Sequence, residues 1–153
     1  MNVILDTNIW ISFLLGKRLQ NVESVFQNAD VRVYVSQDLI AELVSVLARP
    51  KIRRYVSSDS IEAMWTLIRN HCYVIEDYPI ADSKVRDIKD VYLLSMAQAI
   101  PADIIVTGDK DLLVLGKCGN TLILPYSEGT LKSHFAQNQH LIINMLRVEN
   151  RKF

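Results

Sequence analysis

Cysteine is scarce here, neither sign of charge is in excess and no apolar run is long, and each shortage removes a class of protein. Cys72 and Cys118, the only 2 cysteines, lie far apart with no Cys-x-x-Cys pairing. They read as reduced packing residues of a cytosolic protein, not as a zinc site. Lys and Arg number 17 against 17 Asp and Glu, so no global cationic field announces a nucleic-acid partner, although a local basic face stays open. Ser95, Gln98, Pro101 and Asp103 break the longest apolar candidate, which falls short of the roughly 18 residues that span a bilayer. The opening residues lack the basic start and apolar stretch of a signal peptide. A cytoplasmic protein without a membrane segment is expected. Internal repeats and low-complexity runs are missing as well.

What is present is enough for one core: 153 residues, 50% of them hydrophobic, predict a single globular unit. Val3-Ile4-Leu5 is an apolar run without polar alternation, as in a strand buried on both faces, and it ends in Asp6-Thr7-Asn8. Further strands are expected at Val31–Val35, Cys72–Ile75, Ile104–Val106 and Thr121–Leu124. Between them, helical spacing or composition predicts helices over Ile9–Leu15, Asn21–Asn28, Asp38–Arg49, Ser60–Asn70, Asp87–Ala99 and Leu112–Leu115. The Asp38 helix points Leu39, Ile40, Leu43, Val44 and Leu47 inward, and the Asp87 helix Ile88, Val91, Tyr92, Ser95 and Ala99. A short basic turn or helix at Lys51–Tyr55, a polar loop at Pro79–Lys84 as a candidate lid, a last helix at Glu128–Gln137 and an amphipathic tail at His140–Phe153 complete the chain. Trp10 and Trp65 are expected in the core. Strands alternating with helices imply right-handed crossovers, hence an α/β fold in which a parallel sheet is covered on both faces.

Such sheets gather ligands beyond the carboxyl ends of their strands. Asp6 follows the first strand, Asp109 the fourth, and Asp90 lies in the first turn of the helix between the third and fourth. Glu42 falls at the flank of the buried stripe of its helix, roughly 60° from Leu39 at about 100° per residue. Each acid taken singly has a plain structural explanation: Asp6 as an Asx-turn former, Glu42 as a solvated helix residue, Asp90 at a helix amino terminus, Asp109 as an N-cap beside Asp111. As a group they repel one another unless protons or a cation intervene. An oxygen-only set of this kind suits Mg²⁺ or Mn²⁺, and phosphate-ester chemistry.

Four segments then carry a resemblance: Val3-Ile4-Leu5-Asp6-Thr7-Asn8; Leu39-Ile40-Ala41-Glu42-Leu43 with Arg49-Pro50-Lys51; Arg86-Asp87-Ile88-Lys89-Asp90; and Thr107-Gly108-Asp109-Lys110-Asp111-Leu112-Leu113. In this order and spacing the chain resembles the PIN domain, in the branch of toxins of toxin–antitoxin systems related to the VapC ribonucleases. The likeness runs from Met1 to about Pro125. It implies a three-layer α/β/α sandwich around a five-stranded parallel sheet, with the nuclease domain at 1–137 and a tail at 138–153. It also implies an Mg²⁺- or Mn²⁺-dependent endoribonuclease leaving a 5′-phosphate and a 3′-hydroxyl. Asp6, Glu42, Asp90 and Asp109 take the places of metal ligands, Thr7 and Asn8 order the first turn of the site, and Asp87 and Asp111 support it. Ile88 stands where relatives commonly have proline.

RNA would be held by basic side chains among Lys17, Arg18, Arg49, Lys51, Arg53 and Arg54, with Arg86 and Lys110 nearer the metal. The likeness also implies a cognate antitoxin and a homodimer. Two other readings compete. One is a catalytically silent PIN-fold module that binds RNA or an antitoxin. The other is a phosphohydrolase of the haloacid dehalogenase type, against which stands Asn8, since that family places a second Asp two positions after its nucleophile.

Overall fold

The computed structural model of this chain describes residues 1–16, 19, 23, 26, 28–80 and 88–126, with the backbone alone at 88–90. Of the expected helix over Asn21–Asn28 only residues 23, 26 and 28 are described, the first two of them helical; the helix expected over Glu128–Gln137, the tail from His140 and the loop beyond Ile80 lie outside the described residues.

The strands are β1 (Asn2–Leu5), β2 (Arg32–Ser36), β3 (Cys72–Ile75), β4 (Ile104–Val106), β5 (Lys117–Cys118) and β6 (Thr121–Leu124). The helices are α1 (Thr7–Leu15), α2 (Gln37–Leu47), α3 (Pro50–Arg53), α4 (Ser58–His71), α5 (Ile88–Ala99) and α6 (Lys110–Leu115). The sheet order is β3-β2-β1-β4-β6-β5, with parallel pairing everywhere except the last pair. Unbroken apolar runs occupy the centre, as double-sided burial requires: Val3, Ile4 and Leu5 of β1 and all of β4 are buried.

The sheet has six strands, which corrects the expected five. The addition is β5, antiparallel to β6 through Lys117↔Leu122 and Cys118↔Thr121. Two residues carry no periodicity, so nothing in the sequence marks this strand. Its turn is made by Gly119 at φ 59°, a left-handed conformation open to glycine and strained for other residues.

Two inward-facing expectations are corrected as well. Val44 of α2 is 54% exposed, because the helix rests on the narrower stripe of Leu39, Leu43 and Leu47. Ala99 is exposed at the end of α5, whose burial is concentrated on Leu93 through Ala97. Trp10 is fully buried and Trp65 packs half-buried against the same core.

The strand order positions the site. From β1 the chain steps to β2 and then β3 in one direction; β4 then lies on the other side of β1, and β6 continues that way. Right-handed crossovers therefore place α1 to α4 on one face and α5 and α6 on the other. Where the direction reverses, between β1 and β4, connections leave to opposite sides and open a crevice beyond the strand ends. The first residues past those ends are Asp6 and Thr107.

Candidate active site

Asp6 continues the ladder one step past β1, its backbone N–H donating to Val106 O at 2.9 Å. The residue is 7% exposed. Oδ2 accepts from Thr107 Oγ1 at 2.6 Å and from Asn8 Nδ2 at 2.7 Å. Thr107 is itself buried, and its Oγ1 accepts from the backbone N–H of Asp109 at 2.9 Å. One hydroxyl thus fixes the acid after β1 and the start of the turn bearing the acid after β4.

Asn8, in the first turn of α1, locks that turn to the loop after β4. Its Oδ1 accepts from Gly108 N at 2.9 Å while its Nδ2 holds Asp6. A Cβ on Gly108 would lie 3.4 Å from the same Oδ1, so the loop approaches α1 to ordinary van der Waals contact. Asp109 N-caps α6, its Oδ1 accepting from Asp111 N at 2.8 Å. The capping role expected of it is present and uses one oxygen only: Oδ2 accepts no hydrogen bond among the described residues.

Glu42 enters from α2. Its Oε2 accepts from Thr7 Oγ1 at 3.0 Å and from Tyr92 Oη at 2.6 Å, one donor from α1 and one from α5. Both layers of helices thus reach over the sheet end to the same oxygen.

Asp6, Thr7, Asn8, Glu42 and Asp109 line one cleft of about 410 Å³, with Arg49 at its polar side and Ile11, Val46 and Leu93 as apolar wall. Burial raises the Asp6 carboxyl above the ordinary carboxylate range; hydrogen bonds from Thr107 and the Thr7 backbone act against this, and the charges of Glu42 and Asp109 add to it. The Tyr92 phenol is pushed far up by burial, by its bond to Glu42 and by the Glu42 and Asp6 charges, and it stays a neutral donor. Among the described residues the ion pair is Arg69 with Glu62 on α4; Arg49 lines the cleft without forming an ion pair with its acids.

Among the described residues no three His, Cys, Asp or Glu side chains form a ready metal-binding group. The donor chemistry nevertheless fits a hard divalent ion: only oxygens are offered, the acids are mutually repelling, and Glu42 Oε1 and Asp109 Oδ2 accept no hydrogen bond from described groups. Asp90 lies in the first turn of α5, and its side chain is outside the described residues, as are Asp87, Arg86, Lys17 and Arg18.

Several expected participants stand apart. The Asp111 side chain is exposed, and what it brings is its backbone N–H to Asp109. Lys51, Arg53, Arg54 and Lys110 are exposed and do not line the cleft. Thr107 and Tyr92 were not expected as site residues. Thr107 had a signal, a hydroxyl immediately past a buried strand; Tyr92, at helical spacing among apolar residues, had none. A groove of about 510 Å³ beside α4 is larger, with Glu23, Asp59 and Glu62 on its walls, but those acids are exposed and no buried polar group converges there.

The PIN domain family profile matches residues 2–111. The fold is similar to that of a chain in the crystal structure of VapBC2 from Rickettsia felis bound to a DNA fragment from their promoter. That similarity has a TM-score of 0.52 at 16% identity and covers 83% of this chain and 100% of that chain. No curated protein matches the sequence.

Proposed function

This chain belongs to the PIN-domain family, and from that premise we propose that it is a divalent-cation-dependent endoribonuclease, the toxin of a toxin–antitoxin pair. One observation carries the reading. Asp6, Glu42 and Asp109, separated along the chain, line a single cleft at the point where the sheet reverses direction, and no described lysine or arginine forms an ion pair with them.

Asp6, Glu42 and Asp109, with Asp90 from the family pattern, would hold Mg²⁺ or Mn²⁺. When bound, such an ion supplies Lewis-acid activation of water and offsets charge at a scissile phosphodiester. The chain's own groups do the rest. Thr107 and Asn8 fix the Asp6 carboxylate, Thr7 and Tyr92 fix Glu42, and the cap at α6 fixes Asp109. Arg49 at the cleft is placed to meet a substrate phosphate, with Lys51, Lys110 and Arg86 as further phosphate contacts and Asp87 and Asp111 as supporting acids. Ile11, Val46 and Leu93 limit water on the apolar wall. The products would be a 5′-phosphate and a 3′-hydroxyl.

The structural likeness to a chain of a VapBC2 assembly supports an antitoxin partner in the same reading. We place the protein in the cytoplasm as a homodimer, with the nuclease domain at 1–137 and 138–153 as a tail. Among the described residues no helix is long and apolar enough to cross a membrane.

The test is cleavage of single-stranded RNA with Mg²⁺ or Mn²⁺. Wild-type protein cleaves, EDTA stops it, and Asp6→Asn lowers the rate by at least about a hundredfold, since loss even of outer-shell support costs ten- to hundredfold. Cation-independent cleavage, or full activity in Asp6→Asn with an unchanged circular dichroism spectrum, would falsify the proposal.

A further inference from the structure

The two hydrogen bonds on Glu42 fall on one oxygen. A carboxylate oxygen has two lone pairs, and Oε2 has both engaged, by Thr7 Oγ1 at 3.0 Å and by Tyr92 Oη at 2.6 Å. Oε1 accepts nothing from the described residues. The side chain therefore meets the cleft as a carboxylate with one oxygen available.

That asymmetry bears on which cation the cleft accepts. Ca²⁺ takes six to eight oxygens and commonly binds a carboxylate through both of them, whereas Mg²⁺ and Mn²⁺ suit octahedral sites that take one oxygen per carboxylate. From the shared placement of Thr7 and Tyr92 on Oε2 we propose that this pair is a selectivity device. It holds Glu42 as a single-oxygen ligand and thereby favours Mg²⁺ or Mn²⁺ over Ca²⁺. The inference rests on reading the cleft as a cation site and goes beyond that reading by assigning a positioning role to two residues that bind no cation themselves. Chelation through both oxygens of Glu42 has to displace at least one of the two hydrogen bonds that reach it from opposite helical layers. Attachment through Oε1 breaks neither. Each hydroxyl can be removed at nearly constant shape, because Tyr92→Phe keeps the ring and Thr7→Val keeps the branched side chain.

The experiment is calorimetric titration of the RNA-free protein with Mn²⁺ and, separately, with Ca²⁺, for wild type, Tyr92→Phe, Thr7→Val, Thr7→Ser and the double variant Tyr92→Phe/Thr7→Val. Wild type binds Mn²⁺ more tightly than Ca²⁺. Tyr92→Phe and Thr7→Val each weaken Mn²⁺, by about tenfold as loss of an outer-shell partner does, and leave Ca²⁺ unchanged or tighter, so the preference shrinks. It shrinks further in the double variant, and Thr7→Ser, which keeps the hydroxyl, retains it. Equal weakening of both ions in Tyr92→Phe and Thr7→Val would mark a purely structural role and overturn the inference. So would a wild-type protein that binds neither ion or does not discriminate between them. Because RNA is absent, selective Mn²⁺ binding with the expected response in a protein that cleaves no RNA would sink the nuclease reading and leave this inference standing.

Discussion

A hydroxyl has one proton and two lone pairs, and Thr107 uses the proton on Asp6 and a lone pair on the backbone N–H of Asp109. Thr107→Val keeps the shape, leaves the Asp109 N–H without its acceptor and removes one of the two donors on Asp6 Oδ2, and leaving a polar group unsatisfied costs about 1–3 kcal/mol. Calorimetry should show a melting temperature lower by roughly 2–12 °C, at about 2–4 °C per kcal/mol for a chain of this size, with Thr107→Ser restoring most of it. Asp6 behaves in the opposite way. Its carboxyl is raised by burial and by neighbouring charge, so its contribution to stability is present below the ordinary carboxylate pKa and is lost as pH rises through its folded value. Above that folded value, and without metal, the ionised group is therefore a liability. Asp6→Asn should raise the metal-free melting temperature by a few degrees, as relief of a strained functional group does. Mn²⁺ at a hundred times its Kd should stabilise wild type by about 2.7 kcal/mol and the variant by far less.

Among the elements, α2 matters most because it carries Glu42. Its start is set by Ser36, which is buried and caps the helix by accepting from Leu39 N at 3.2 Å. Tyr78, in the segment after β3, donates to Asp38, with the Ser36 hydroxyl 3.4 Å from the same phenol oxygen, and so closes over the same helix start. Ser36→Ala removes the cap, which is worth about 1 kcal/mol. We expect a melting temperature lower by about 2–4 °C, together with weaker Mn²⁺ binding, because the first turn that registers Glu42 against Thr7 is loosened. A fall in stability with unchanged Mn²⁺ affinity would show that the cap acts on the fold alone. The helix itself was legible from Leu39, Leu43 and Leu47 and from the stop at Pro50. Its exposed Val44 was not, since a wheel gives the direction of a residue but not the width of the surface it meets.

For the whole molecule, alkaline titration is informative. Burial pushes the Cys72 thiol to about 12 from 9.0, and burial with the bond to Asp38 pushes the Tyr78 phenol to about 12 from 10.0. Both protons are held more tightly in the folded chain. Their stabilising contribution is complete below the unfolded values, and it is lost as pH rises toward the folded ones. The urea midpoint should therefore decline between pH 9 and 11, and Cys72 should resist alkylation at pH 8 until the protein unfolds. The order of strands and helices, the acids at strand ends and the family pattern were all determined by local composition, because double-sided burial, helical spacing and turn chemistry each leave a mark within a few residues. The strand order, the hairpin arm at Lys117–Cys118 and the partners of each acid were decided by tertiary structure. The contacts Thr107 to Asp6, Tyr92 to Glu42 and Asn8 to Gly108 join residues 101, 50 and 100 positions apart. No local pattern encodes them; they exist because the sheet reverses direction between β1 and β4 and brings the strand ends together.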